Sequence, residues 1–309
     1  MGEWLQSLLP WGTEAIVWVQ SFSPPWLEAI FQFFTYLGYE QFYLILLPFV
    51  YWCLDRRIGV GLGYLAMGSA WLNSLVKYAF RLPRPTDPRI RVPLPETSPS
   101  FPSGHAQNAV ANWGYLAGRF RNRLFQVVAI VVIVGIGLSR IVLGVHFPQD
   151  VIGGWLIGLV LLLVFCRAEP KVSRWIGSQS TAVQLALAVG VPLLFLFLHP
   201  ADNAGLYPAE GALTPMSALA GMGLGLVMER RWLRFRVDGV WWRRGLRFLV
   251  GLLVTGIVYA GPKLISPAEM ACGLEAAVRV ARYLLLGWVV TFLCPWLFVE
   301  LRLAGREER

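Results

Sequence analysis

The chain has 309 residues, of which 56% are hydrophobic and 15% are charged. This composition excludes an ordinary water-soluble domain, because several apolar runs approach or exceed the roughly 17 to 20 residues that cross a bilayer core. The formal net charge of +9 does not indicate nucleic-acid binding, since the basic residues are concentrated in loops on one side of the expected spans. The sequence therefore predicts an all-α protein, a polytopic bundle of transmembrane helices.

The N-terminal residues 1–25 predict a helix that lies at the membrane interface or spans the bilayer poorly. Two glutamates and a proline interrupt its apolar and aromatic residues. A proline pair then marks a break, and a second apolar stretch runs from Trp26 to Cys53. Because the triplet 38–40 (Gly-Tyr-Glu) interrupts that stretch, we expect two short helices there.

Further apolar segments of the first half predict helices that alternate in direction across the membrane. They are residues 58–80, 103–118, 124–144 and 151–166. Pro83, Pro85 and Pro88 should keep the first of these helices from continuing and open an extracytoplasmic loop. With these spans, 18 of the 27 Lys and Arg residues lie on one side, which the positive-inside rule assigns to the cytoplasm.

The second half of the chain predicts about four additional C-terminal transmembrane helices. They are residues 181–198, 214–228, 246–262 and 281–299. The Arg- and Trp-rich segment 230–247 suits the headgroup zone, where indoles and guanidinium groups meet anionic lipid. We expect a topological anchor there, with a specific anionic-lipid site as the alternative. The predicted domains are residues 1–25, a catalytic core at 26–168 and a C-terminal extension at 169–309.

Three short polar clusters stand where apolar segments begin or end. They are Lys77 with Arg84-Pro85, the run Pro102-Ser103-Gly104-His105, and Ser139-Arg140 with His146 and Asp150. Together they contain three cations, two of the chain's three histidines, a serine and a carboxylate. Such groups bind anions and transfer protons, so their position at span ends predicts phosphoryl chemistry at a membrane surface.

The basic residues of these clusters predict a phosphate-binding site. Lys77, Arg84 and Arg140 supply positive charge without a metal, and arginine can bind two phosphate oxygens at once. Ser103 and the N–H groups near Gly104 begin a helix, whose N-terminus favours an anion. The structural alternatives are a snorkelling lysine, an arginine that only pairs with a nearby carboxylate, and a serine that only caps its helix.

The two histidines predict a nucleophile and a general acid. His146 and Asp150 are four residues apart, a spacing that puts both on one helical face if the helix starts by His146. We therefore expect His146 to be the nucleophile, through a phosphohistidine, and Asp150 to orient it by accepting the other ring N–H. His105 is then the general acid that protonates the leaving group. The sequence predicts no metal site and no cofactor, because neither clustered Cys and His nor clustered carboxylates accompany these residues.

The spacing of the three clusters resembles the signature of a known family. The pattern Lys-x6-Arg-Pro, Pro-Ser-Gly-His and Ser-Arg-x5-His-x3-Asp is similar, position for position, to that of the type 2 phosphatidic acid phosphatase superfamily, over roughly residues 35–168. The resemblance implies a core of that family's fold, the same residue roles and metal independence. Residues 39–55 are also similar to the sphingosine phosphate phosphatase branch.

Membrane-embedded proteins with this signature hydrolyse lipid phosphates. The resemblance thus implies a phosphatase acting on phosphatidic acid, phosphatidylglycerol phosphate or undecaprenyl pyrophosphate, in a bacterial inner membrane with the site on the periplasmic side. The expected partners are the lipid phosphate and membrane lipids, with no nucleic acid. Alternatives are a lipid phosphotransferase, a sphingoid phosphate phosphatase, a haloperoxidase, and a lipid transporter or scaffold with a vestigial site.

Overall fold

The computed structural model describes residues 2–201, 209–265 and 272–307, and every regular element within these ranges is a helix. The first helices are α1 (Gly2–Ser7), α2 (Leu9–Ser21), α3 (Pro25–Tyr36), α4 (Glu40–Phe49) and α5 (Arg56–Phe80). Three more follow the long loop after Phe80: α6 (Gly104–Phe120), α7 (Arg123–Val142) and α8 (Pro148–Ser178). The second half contains α9 (Thr181–Phe197), α10 (Glu210–Met228), α11 (Trp241–Ile265), α12 (Cys272–Trp288) and α13 (Cys294–Glu300).

Several helices are long and apolar enough to cross a membrane. Among the described residues these helices are Arg123–Val142, Pro148–Ser178, Glu210–Leu233, Trp241–Gly261 and Gly273–Glu300. The pair Pro25–Tyr36 and Glu40–Leu54 makes a sixth candidate if it is one broken span, bent by 52° where the sequence predicted an interruption. The prediction of an all-helical membrane protein is therefore confirmed.

The expected crossings by α5 and α6 stay predictions, because neither helix is among those candidates. α6 has 17 residues, which is short for a span. α5 is long enough, but it carries the buried polar side chains Ser69, Asn73, Ser74 and Lys77. These polar groups lower its apolar content, and two of them make contacts in the site described below.

Helix α8 extends beyond its apolar run. The sequence analysis ended this segment at residue 166 and placed the basic residues after it in a loop, but the helix continues to Ser178. Arg167 and Arg174 lie on its last turns, and each guanidinium donates to the carbonyl four residues earlier, at 3.3 and 3.0 Å. The apolar composition ends where expected, whereas the helix does not, since charged residues are compatible with a helix outside the bilayer core.

The chain divides into two compact units by packing. The first contains the chain up to Tyr43 and Gly68–Ala168, and its core includes the buried side chains Ala109, Val132 and Ile136. In this unit α7 packs against α2, α3 and α6. This division follows packing and places Leu44–Met67 in the second unit. The predicted domain boundaries at residues 25 and 168 stay predictions.

The second unit contains Leu44–Met67 and most of the chain after Ala168. Its core includes Trp52 and Phe298, whose rings meet edge to face at 5.4 Å. Arg247, from the Arg-rich segment, is fully buried and donates to the carbonyls of Trp52, Val237 and Asp238 at 2.9 to 3.1 Å. This guanidinium therefore stabilises the backbone of its own unit, and the position of the segment at lipid headgroups stays a prediction.

Candidate active site

The three predicted clusters meet within the first unit, at the ends of its helices. Lys77 lies in the last turn of α5, Arg140 in the last turn of α7, and Asp150 in the first turn of α8. His146 lies in the short connection between α7 and α8. One polar side chain of the site therefore lies at each of these helix ends. The apolar residues between the clusters form the helices themselves.

Asp150 orients His146. The imidazole Nδ1 lies 3.3 Å from Asp150 Oδ2, and both side chains are almost fully buried. The same carboxylate oxygen accepts the Phe147 backbone N–H at 2.9 Å and the Ser100 hydroxyl. With three donors on one oxygen, Asp150 is fixed in place and holds the ring of His146 in one orientation.

The contacts of His146 define its tautomer. Its Nε2 lies 3.3 Å from Nη1 of Arg84, which is a donor only, so Nε2 must be the accepting nitrogen. The proton is thereby assigned to Nδ1, which donates it to Asp150. The unprotonated nitrogen, Nε2, therefore faces the cations, and a nucleophile requires such an unprotonated nitrogen.

His146 is uncharged at neutral pH. Burial lowers its pKa well below 6.5, and the positive charges of Arg84, Lys77 and Arg140 lower it further. Burial acts because a low-dielectric environment disfavours the charged form, and the cations act by repulsion. The imidazole therefore keeps its electron pair beside these three cations.

Arg84 is held in place by backbone carbonyls. Its Nε donates to Ser98 O at 2.6 Å, and Nη1 donates to Val145 O at 2.7 Å. Nη2 donates to Glu96 Oε2 at 2.7 Å. The guanidinium is thus fixed beside His146 by a loop that contributes both a neutral and an anionic acceptor.

Lys77 is held by the same loop. Its ammonium donates to Ser98 Oγ at 2.9 Å and to Pro99 O at 2.7 Å. The lysine is buried, so its charge is compensated by these acceptors rather than by water. It does not extend along the helix towards solvent, as a snorkelling lysine would.

Arg140 is fully buried and pairs with Glu96, not with Asp150. Its Nη2 donates to Glu96 Oε1, and its Nη1 donates to the buried hydroxyl of Thr35 in α3. Arg84 and Arg140 therefore share one carboxylate, which places the two guanidinium groups on either side of a single anionic position.

Ser103 and Gly104 start α6 beside this site. The Ser103 hydroxyl accepts the Ala106 N–H at 3.5 Å, and the Ser103 N–H donates to the carbonyl of Asp150 at 3.0 Å. A Cβ atom at Gly104 would lie 2.9 Å from Asn73 Oδ1, so any larger residue would require the Asn73 side chain to shift. Ser103 thus caps the helix, and the roles of both residues in phosphate binding stay predictions.

His105 lies in the first turn of α6, against the break between α3 and α4. Its ring meets the ring of Tyr39 edge to face at 4.9 Å, and a Cβ at Gly38 would lie 2.4 Å from its Cδ2 atom. The Nε2 atom is buried and has no hydrogen-bond partner among the residues that the structure describes. A positive charge on His105 would lower the pKa of His146 further, because like charges repel.

The sequence analysis missed the loop segment 96–100 (Glu-Thr-Ser-Pro-Ser), here named the acceptor segment. Its residues contact the three cations and both members of the His146–Asp150 pair. The only signal in the sequence was an acidic residue in a loop that is otherwise rich in arginine and proline. Thr35 was also missed, because nothing in the pattern of α3 separates it from an ordinary helix residue.

Comparison with known proteins matches both halves of the chain. Residues 58–174 match the family described as PAP2 superfamily, and residues 213–306 match that described as PAP2 superfamily phosphatase, transmembrane extension. The chain belongs to the PAP2 superfamily and carries its transmembrane extension. It is an integral membrane protein with several helical spans.

Curated relatives from bacteria and eukaryotes are similar to this chain. It is 30% identical over 171 residues to phosphatidylglycerophosphatase B of Bacillus subtilis, covering 49% of this chain and 79% of that protein. It is 27% identical over 228 residues to a dihydrosphingosine 1-phosphate phosphatase of Schizosaccharomyces pombe, covering 69% of this chain and 55% of that protein. The chain thus spans only about half the length of several curated relatives that it matches.

One solved structure is also similar. The crystal structure of a transmembrane PAP2-type phosphatidylglycerolphosphate phosphatase from Bacillus subtilis matches with a TM-score of 0.47 and 26% identity, covering 54% of this chain and 88% of that one.

Proposed function

We propose that this protein is a membrane-embedded, metal-independent lipid phosphate phosphatase that acts through a phosphohistidine. The observation that carries the proposal is the contact of His146 Nε2 with Arg84 Nη1 at 3.3 Å, while His146 Nδ1 faces Asp150. A phosphoryl group bound to Arg84 would lie next to the nucleophilic nitrogen.

The reaction then has two steps. In the first, His146 Nε2 attacks phosphorus, the Nε2–P bond forms, and the bond from phosphorus to the lipid oxygen breaks. His105, which enters this step protonated, gives its proton to that departing oxygen and becomes neutral. In the second, water attacks the phosphohistidine, neutral His105 takes a proton from the water, and the N–P bond breaks to release phosphate and neutral His146.

The charges of the site support both steps. Lys77, Arg84 and Arg140 neutralise the phosphoryl oxygens, with the N-terminus of α6 at Ser103 and Gly104 as a further anion-binding group. During the phosphohistidine stage the ring of His146 is positively charged, and the Asp150 carboxylate stabilises it. Positive charge in the protein therefore meets negative charge on the substrate.

A lipid substrate is supported by the position of the site and by the relatives. The site lies at the ends of helices in a membrane protein, so a phosphoryl group at headgroup depth is within reach of its residues. The candidates are phosphatidic acid, phosphatidylglycerol phosphate and undecaprenyl pyrophosphate. The similarity to phosphatidylglycerophosphatase B favours a phosphatidyl substrate, and that to the yeast enzyme favours a sphingoid phosphate as the second candidate.

The test is phosphate release from a panel of these lipids by the purified protein in detergent micelles. The wild type should hydrolyse at least one of them, and His146→Ala should not. Candidate acceptor lipids in the same assay separate hydrolysis from phosphotransfer, since transfer consumes substrate without releasing phosphate. If no lipid phosphate is consumed, a transporter or scaffold with a vestigial site replaces the enzyme.

The proposed location is a bacterial inner membrane with the site on the extracytoplasmic side. The concentration of basic residues in the opposite loops supports this orientation. A cysteine at the exposed Glu14 position, in a variant without the native cysteines, should react with an impermeant maleimide from outside the cell. Labelling only after the cells are opened would place the site on the cytoplasmic side.

A further inference from the structure

The Glu96 carboxylate joins the two arginines of the site. Its Oε2 accepts from Arg84 Nη2 at 2.7 Å, and its Oε1 accepts from Arg140 Nη2. Carboxylate and phosphate bind arginine in the same manner, with an oxygen on each N–H. Glu96 therefore uses donor groups that a phosphoryl group would need.

Glu96 is an anion under ordinary conditions. Burial raises its pKa, but the charges of Arg140, Arg84 and Lys77 outweigh burial and hold the pKa below the usual 4.5. At neutral pH the carboxylate is thus ionised, and it cancels part of the positive charge that would attract a phosphate.

The position of Glu96 allows exchange. Its side chain is 23% exposed, whereas that of Arg140 is fully buried, so the carboxylate is the member of this pair that water can reach. Glu96 belongs to the loop between α5 and α6 and not to a helix. An incoming anion can therefore take its place without the unwinding of a helix.

We propose that Glu96 is a displaceable internal ligand of the phosphate site, which a phosphoryl group must replace to bind Arg84 and Arg140. The inference rests on the proposed function, because the competing ligand is the substrate's phosphoryl group. One carboxylate competes with every incoming anion for the same N–H groups. It therefore weakens the binding of substrate and of product phosphate by a common factor, which limits retention of the product.

The first test is Glu96→Gln, in which the amide keeps the shape of the side chain and removes its charge. The Ki of inorganic phosphate and the KM of the lipid phosphate should fall together, by about tenfold, because a charge-assisted competitor is lost. Glu28→Gln is the matched control. Glu28 pairs with Arg91 at 2.5 Å, and its side chain is 26% exposed. Its substitution removes the same charge and should change neither constant.

A structural role for Glu96 predicts the opposite result. If the carboxylate only holds the arginines in place, Glu96→Gln raises both constants, and that outcome overturns the proposal. Unchanged constants overturn it as well. Glu96→Asp keeps the charge but shortens the side chain, so the Ki and the KM should both fall, by less than in the glutamine variant. If Glu96→Gln does not fold, this second variant tests the proposal, and a rise or no change in both constants overturns it.

A binding experiment separates this proposal from the proposed function. Titration calorimetry with inorganic phosphate compares His146→Asn with the double variant His146→Asn and Glu96→Gln, neither of which can form a phosphohistidine. Phosphate should bind the double variant about tenfold more tightly. If the wild type hydrolyses no lipid phosphate, the proposed function fails while tighter binding still supports the role of Glu96. Equal affinities overturn that role whatever the activity.

Discussion

The Nε2 atom of His146 lies 3.3 Å from Nη1 of Arg84. This contact joins the proposed nucleophile directly to a cation of the proposed phosphate site. Because the guanidinium is fixed by the carbonyls of Val145 and Ser98, the contact is set by the backbone and not by side-chain packing alone. In the proposed mechanism, Arg84 therefore holds both the attacking atom and the phosphoryl group.

Arg84→Lys should lower kcat/KM by at least about 100-fold, although it retains the positive charge. The ammonium is a point charge, so it cannot bond two carbonyls, Glu96 and His146 in one geometry. Steady-state hydrolysis of phosphatidic acid measures this loss. Arg89→Lys is the matched control, since Arg89 lies on the same loop and its guanidinium pairs with Glu14 and Asp87. Equal losses in the two variants would contradict the proposed role of Arg84.

Ser100 and Ser98 should have different effects on the reaction, although they are two residues apart. Ser100 bonds the orienting carboxylate, so Ser100→Ala should lower kcat by about 10- to 100-fold with little change in KM. The Ser98 hydroxyl contacts Lys77 and Arg84, so Ser98→Ala should chiefly raise KM. Steady-state kinetics of the two variants measure the difference. If kcat and KM change in the same way in both variants, the two hydroxyls only maintain the conformation of the loop.

His105→Ala should still form a phosphoenzyme with a substrate whose leaving group needs no proton, such as a p-nitrophenyl phosphate ester. The rate of phosphoenzyme formation should fall by at least about 100-fold more on lipid phosphates than on the activated ester, because a general acid contributes about 10²- to 10⁴-fold to that step. The later attack of water, in which His105 is the base, does not enter this rate. Acid quench and detection of the acid-labile phosphohistidine measure this. An equal loss on both substrates would contradict the general-acid role.

The sequence predicts the helices and the chemical groups of the site better than the contacts between them. The breaks at Pro25 and at Gly38 are local signals, because proline and glycine restrict or free the backbone whatever surrounds them. The pairing of His146 with Asp150 follows from their spacing at a helix start. The partner of Arg140 does not follow from spacing, since Glu96 and Thr35 reach it from distant parts of the chain. Long-range contacts of this kind depend on packing, which a local pattern does not contain.

Chelation should leave the activity unchanged, whereas orthovanadate should inhibit. In the proposed mechanism three cationic side chains, Lys77, Arg84 and Arg140, supply the charge that a metal supplies in other phosphatases. Vanadate resembles phosphate in shape and can bind the same groups next to His146. Assays with an excess of EDTA and with increasing vanadate measure both effects. A strict requirement for a divalent cation after chelation would contradict the metal-independent mechanism.

The stability of the protein should fall as the pH decreases below about 6.5, in part through His146. Its pKa in the folded state is well below the 6.5 expected after unfolding, so the unfolded chain gains a proton first as the pH falls. The stabilisation is fully present above pH 6.5 and is lost towards the folded pKa, by at most about 1.4 kcal/mol per pH unit. Thermal unfolding in detergent between pH 7.5 and 5.5 measures it, and His146→Asn should show a smaller decrease in Tm than the wild type. If the Tm of the variant and that of the wild type depend on pH in the same way, the burial of neutral His146 does not contribute to the pH dependence of stability.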